Sequence, residues 1–93
     1  MHIGVLQLEL SIADAMSLKD KRRIVLSLKD RIGHGNNVSI AEVGALDEHR
    51  RSILGVAIVA NDPRYVEGAL SKLVDFVRAV PQVSLLDYKI EML

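Results

Sequence analysis

The chain has 93 residues, of which 49% are hydrophobic and 26% are charged, and its 12 basic and 12 acidic side chains cancel. This length suits one hydrophobic core, so we expect a single domain over residues 1–93, and the composition excludes a disordered chain. Cysteine is absent, which excludes disulfides, thiolate metal sites and a cysteine nucleophile. Small secreted domains usually carry disulfides, and no apolar run reaches the roughly 18 residues of a membrane span. We therefore expect a cytoplasmic protein without a membrane segment.

The first half of the chain predicts a strand, a helix and a second strand. Hydrophobic and polar residues alternate over His2–Ile12, which is the period of a half-buried strand. Ser17 then begins a helix, with Asp20 three residues later as in a capping box. Gly33–Asn37 ends this helix, because glycine and asparagine tolerate left-handed backbone. Val38–Val43 is the second strand. The residues that share one face of the helix are Leu18, Lys21, Val25, Leu28 and Ile32.

The second half predicts a strand, a helix and a last strand. Ser52–Ala60 is apolar on both faces, as expected of a central strand. Asp62 and Pro63 start a helix that Pro81 closes, and Ser84–Met92 is the last strand. The side chains predicted to face inward on it are Leu86, Tyr88, Ile90 and Met92. Two right-handed β-α-β units in one sheet predict an α+β, ferredoxin-like β-α-β-β-α-β sandwich. Its four-stranded antiparallel sheet has the order 4-1-3-2, with both helices on one face.

Short motifs in five separate places resemble a known bacterial family. They are Gly4–Leu6, Ser17–Arg23, Asn37–Val43, Leu54–Ala57 and Leu86–Tyr88. Together they resemble the YlxP-like proteins, a family of unknown function, and they span nearly the whole chain in the right order. The resemblance implies a ferredoxin-like fold. It also implies a role near translation or ribosome assembly, because genes of the family often lie beside those of translation initiation factor two and ribosome-binding factor A.

The start of the first helix is rich in basic residues. Lys19, Arg22 and Arg23 are three and four positions apart, which places them together on one exposed side, and Lys29 and Arg31 follow. Basic side chains near a helix N-terminus oppose the macrodipole by about 0.3–1 kcal/mol each, so stability alone would favour acids there. We predict that Lys19, Arg22 and Arg23 contact RNA phosphates, assisted by Lys29 or Arg31, and gain affinity by counterion release. A solvated helix face with ion pairs to neighbouring acids is the alternative.

The sheet face without helices is the second candidate surface. RNA-recognition domains of similar topology stack bases on aromatic side chains of the two central strands. The corresponding positions here contain no aromatic residue, which argues against that mode; they are Val5, Gln7, Glu9, Ile53, Ala57 and Val59. An uncovered, partly apolar face favours a partner. We predict a protein interaction or a homodimer through Val5, Ile53 and Val59, with a tolerated mixed surface as the alternative.

No pattern for catalysis, metal binding or cofactor binding stands out. His2, His34 and His49 lie at a terminus and in two predicted connections, whereas zinc requires three or four converging ligands. The connection Ala13–Met16 has no arginine to hold a phosphate, which excludes an acylphosphatase of this topology. The glycines of Gly33–Gly35 close a helix, whereas nucleotide-binding loops open one. We predict no catalytic residue, no metal and no cofactor.

The connection between the second and third strands contains Asp47–Arg51, with two arginines and a histidine. We expect it at the opposite end of the sheet from the start of the first helix, which argues against one joint basic surface; an extension of the basic surface by these residues is the alternative. The sequence as a whole favours a non-enzymatic RNA- or ribosome-associated factor. A protein-interaction or self-associating module is the alternative.

Overall fold

Four strands and two helices follow one another in the order β-α-β-β-α-β. The computed structural model describes residues 1–93. Its elements are β1 His2–Ser11, α1 Leu18–Gly33, β2 Val38–Gly44, β3 Arg51–Ala60, α2 Pro63–Arg78 and β4 Ser84–Met92. All strand pairs are antiparallel, and the sheet order is β2-β3-β1-β4. This is the predicted order read from the other edge, so the ferredoxin-like α+β fold is confirmed.

The core lies between the two helices and one face of the sheet. Side chains of β1 and β3 that face the helices are buried, because each strand buries every second residue. The two central strands contribute Leu6, Leu8, Leu10, Leu54, Val56 and Ile58, and α2 contributes Val66, Leu70, Leu73, Val74 and Val77. Burial of each such side chain contributes about 1.5–3 kcal/mol. The core is aliphatic, as expected from the scarcity of aromatic residues.

Both helices begin at the predicted caps. The Ser17 hydroxyl accepts a hydrogen bond from the Asp20 amide at 3.1 Å, and the Asp20 carboxylate accepts one from the Met16 amide at 3.0 Å. Asp62 accepts from the Arg64 amide at 2.9 Å at the start of α2. These bonds satisfy amides that have no partner inside the helix. Neither helix is long and apolar enough to cross a bilayer.

Gly4 permits the close approach of α2 to β1. A β-carbon at this position would collide with the Val66 side chain and would lie 2.9 Å from Cδ1 of Leu70. Separations this short are repulsive for carbon atoms. The glycine of the Gly4–Leu6 motif is therefore required by helix-on-sheet packing.

The facing pattern predicted for β4 is wrong at two neighbouring residues, Leu86, which the alternation predicts to face inward, and Leu85, which it predicts to face outward. The pairing of β1 with β4 shifts register between Glu9 and Leu10, so that Leu86 has no partner in the ladder. Leu86 is 55% exposed, whereas Leu85 packs against the core. A β-bulge of this kind adds one residue to a strand. The residues before the bulge therefore face the opposite way from what the alternation after it predicts. Tyr88 follows the bulge, lies opposite the buried Leu8 and faces the helix layer as the alternation predicts, although it is 42% exposed.

Candidate functional site

The charges of the chain are separated between its two layers, although they cancel in total. The two helices carry nine basic and four acidic residues, whereas the strands and connections carry three basic and eight acidic ones. Both helices pack on the same side of the sheet. The helix layer therefore carries a net positive charge and the rest of the molecule a net negative charge, although the net charge of the whole chain is zero.

The exposed side of α1 presents three of the predicted phosphate-binding residues together. Lys19, Arg22 and Arg23 are all exposed, and Lys29 is half-buried about two turns beyond Arg22. Arg23 approaches Asp20 at 3.6 Å, but Lys19, Arg22 and Lys29 have no carboxylate oxygen within 4.0 Å. Three unneutralised cations on one side of a helix can bind an extended anion. We call Lys19, Arg22, Arg23 and Lys29 the α1 basic face.

Lys21, in the middle of this basic segment, points the other way. Its side chain is 0% exposed, in agreement with its place on the predicted buried face. Its ammonium group lies 3.0 Å from a carboxylate oxygen of Glu42 and 2.8 Å from the Ala45 carbonyl oxygen. The Leu46 and Arg51 carbonyl oxygens follow at 3.2 and 3.3 Å. Lys21 is thus a structural cation that ties α1 to the connection between β2 and β3.

Arg31 is separated from most of the α1 basic face by the geometry of the helix, although it lines one shallow pocket together with Arg23. It follows Arg22 by nine residues, about two and a half turns, and so lies on the side of the helix opposite to Arg22. Its guanidinium group stands over the Phe76 ring of α2, 5.2 Å from the ring centre. There it lines a groove with Arg64 and Lys72, two cations that the sequence analysis missed. Arg64 and Lys72 are eight residues apart, about two helical turns, and this spacing is the sequence signal that could have predicted them on the same side of α2.

The connection between β2 and β3 lies at the same end of the sheet as the start of α1, so the predicted placement is wrong. Because β1 and β3 are antiparallel, Ser11 at the end of β1 pairs with Arg51 at the start of β3. The Arg50 side chain donates a hydrogen bond to the Ala15 carbonyl oxygen at 3.3 Å. Arg51 pairs with Glu9 at 3.2 Å and with Glu48 at 3.6 Å, so of the two arginines only Arg50 adds an unneutralised charge at this end.

The open sheet face does not gather its three predicted contact residues into one patch. Val5 and Ile53 are half-buried, and Val59 is 44% exposed. Ile53 and Val59 lie six residues apart on β3, about 20 Å at the rise of a strand. An open depression of about 400 Å³ lies across the middle of the face and includes Val5 and its partner Ala57, but neither of the other two. The apolar character of this face is therefore spread along its length.

No group of three His, Asp or Glu side chains is placed to hold a metal ion, so the three histidines do not form such a group.

The sequence matches a family described as "Protein of unknown function (DUF503)" over residues 3–90. The chain belongs to this family. It is also 33% identical over 81 residues to the "Uncharacterized protein YlxP" of Bacillus subtilis (strain 168), a match that covers 87% of this chain and 88% of the relative. The resemblance to YlxP-like proteins is therefore confirmed.

Two of the stretches that carry the family resemblance meet in the structure. Lys21 belongs to Ser17–Arg23 and Glu42 to Asn37–Val43, and their side chains form the ion pair at 3.0 Å. The Ser52 hydroxyl, itself buried, donates to the same Glu42 carboxylate oxygen at 2.6 Å. This network fixes α1 against the β2–β3 connection.

Proposed function

We propose that this member of the DUF503 family is a non-enzymatic cytoplasmic factor that binds RNA, on the ribosome or its precursors, through the α1 basic face. The observation that carries the proposal is that the exposed Lys19 and Arg22 and the half-buried Lys29 have no carboxylate partner, on the positive layer of a molecule of zero net charge. The gene neighbourhood implied by the family resemblance supports the same process.

Contacts of this kind bind the phosphate backbone and do not read sequence. Each phosphate neutralised by a lysine or arginine releases condensed counterions, so affinity falls as salt rises. Three to four such contacts give a modest affinity that depends steeply on ionic strength. The scarcity of aromatic residues on the sheet agrees with this mode, because phosphate contacts need no stacking platform.

The test is co-sedimentation of the tagged protein with ribosomal particles from its own host, in low and in high salt. We expect comigration in low salt, loss of it in high salt, and loss of it at both salts for Lys19→Glu/Arg22→Glu. These two residues are preferred to Arg23 because Arg23 has a partner in Asp20, and a glutamate there would add repulsion to the loss of charge.

The matched control is Lys89→Gln on the sheet at β4, compared with Arg22→Gln, because each removes one positive charge and neither places a new carboxylate beside Glu91, the partner of Lys89. Comigration should survive Lys89→Gln and weaken in Arg22→Gln. Equal weakening in the two variants would mean that binding follows net charge alone, and would refute the assignment to α1. Absence of comigration in low salt would remove the ribosome from the proposal.

A second candidate function is self-association through the open sheet face. The observation in its favour is the depression at Val5 and Ala57, together with the exposure of Val59. It predicts a dimer that persists in high salt and dissociates in Val59→Asp. A strict monomer in sedimentation equilibrium at tens of micromolar would exclude it.

A further inference from the structure

A groove of about 450 Å³ runs between the end of α1 and α2, on the side of α1 opposite to Arg22 and Lys29. Its polar and aromatic lining consists of Arg31, Asn36, Arg64, Tyr65, Lys72 and Phe76. A cavity of this size is in the range of small-molecule sites, about 300–1,000 Å³. The groove is therefore large enough for one nucleotide.

The charge of the groove is positive and unneutralised. Arg31, Arg64 and Lys72 have no carboxylate oxygen within 4.0 Å, and no acidic residue lines the groove. Three cations gathered around one recess repel one another unless an anion joins them. Arginine and lysine side chains are the usual ligands of phosphate groups. The electrostatics of the groove are thus complementary to a phosphate.

Aromatic surface and a small residue accompany these cations. Tyr65 is 57% exposed, and Phe76 is half-buried beneath the Arg31 guanidinium. Gly68 stands in the middle of α2, where glycine disfavours the helix, and a β-carbon there would meet no atom within 4 Å. Packing does not explain this glycine. Its effect is to keep the groove open beside Tyr65.

We propose that the interhelical groove binds a nucleoside phosphate, with the phosphate between Arg64, Lys72 and Arg31 and the base against Tyr65. The unit is either a free nucleotide or one nucleotide of an RNA strand, since both present the same phosphate and the same flat base. Tyr65 supplies the flat apolar surface that a base requires for stacking. The site uses none of the residues of the α1 basic face, so nucleotide binding in the groove and RNA binding by α1 can be tested independently.

The test is a titration of the ¹⁵N-labelled protein, followed by amide chemical shifts. The probes are adenosine 5′-monophosphate, adenosine, inorganic phosphate and a tetraadenylate RNA. We expect saturable shifts at Asn36, Tyr65 and Gly68 with the monophosphate, at least about tenfold tighter than with adenosine or phosphate alone. Tighter binding of the tetranucleotide than of the monophosphate would assign the groove to RNA, and equal binding would assign it to a free nucleotide.

Two variants separate binding from folding. Arg64→Glu/Lys72→Glu should weaken the monophosphate by at least about tenfold, whereas Lys19→Glu/Arg22→Glu, with the same change in charge, should not. Gly68→Ala should both raise the thermal unfolding midpoint and weaken binding of the monophosphate. General destabilisation of the fold would lower the midpoint and so would not give this combination. No saturable shift at millimolar monophosphate, or equal binding of phosphate and monophosphate, would overturn the inference. Such a result would leave the proposed function intact, because that function is tested by the loss of ribosomal comigration in Lys19→Glu/Arg22→Glu.

Discussion

Replacing Lys21 by methionine tests the most connected polar contact of the fold. Methionine keeps the length and apolar stem of the side chain but removes the ammonium group. The group has three donors and is surrounded by four oxygen atoms, those of Glu42, Ala45, Leu46 and Arg51. All four would lose their cation. The Glu42 carboxylate would keep the hydroxyl of Ser52 as a donor, and the Ala45 carbonyl oxygen would keep the amide of Glu48 at 3.1 Å.

The expected cost follows from this inventory. Breaking a buried ion pair by removing one partner costs about 3–5 kcal/mol. The Glu42 side chain is 17% exposed and keeps its bond to Ser52, which moderates the penalty. We therefore expect a loss of about 3 kcal/mol in the free energy of unfolding, out of a total of about 5–14 kcal/mol for a domain of this length.

The measurement is urea unfolding followed by circular dichroism. With a slope of about 1–1.5 kcal/mol per molar urea, the midpoint for Lys21→Met should fall by about 2–3 M. Lys19→Met is the matched control, because the same chemical change is made two residues away on the exposed side, and it should stay within about 0.5 kcal/mol of the parent. A loss below about 1 kcal/mol for Lys21→Met, or equal losses in the two variants, would refute the structural role of Lys21.

Further predictions concern backbone geometry and salt dependence. Ala45 has a positive φ of 56°, so Ala45→Gly should raise the free energy of unfolding by about 0.5–1 kcal/mol, and a loss in urea unfolding would contradict this. Gly4→Ala should cost about 1–3 kcal/mol through its collision with α2, whereas Gly33→Ala, where a β-carbon meets nothing, should cost nothing in the same assay. If Lys19 contacts phosphate, Lys19→Gln should reduce the slope of log affinity against log salt by about 0.7 for single-stranded RNA, as measured by fluorescence anisotropy; an unchanged slope would exclude that contact.

Local patterns were sufficient for most of the fold. Alternation identified β1, an apolar run identified β3, and the caps at Ser17 and Asp62 identified the helix starts, because these signals depend only on neighbouring residues. The handedness of the crossovers then fixed the sheet order. The error at Leu86 arose because a bulge depends on the register with another strand, and register is not a property of the strand alone.

The candidate surfaces were less predictable because they depend on packing between elements. Spacing along α1 identified Lys19, Arg22 and Arg23 as one cluster and placed Lys21 with the buried residues. It could not show that Lys21 meets Glu42, which lies 21 residues later, or that Arg31 joins α2. The placement of the β2–β3 connection failed for a different reason. The predicted topology already contained the answer, since antiparallel β1 and β3 bring the end of one beside the start of the other.

The two faces of the molecule can act at the same time. A dimer formed through the sheets would turn both helix layers outward, with an α1 basic face and an interhelical groove on each side. Several charges of the sheet face are already neutralised within the chain, as in the pairs of Arg51 with Glu9 and of Lys89 with Glu91, so apposing two such faces brings little uncompensated charge together. Self-association would then double the basic surface without altering either copy of it. Because the two copies face away from each other, a short RNA would engage one of them, and only a long or folded RNA would gain affinity from the second.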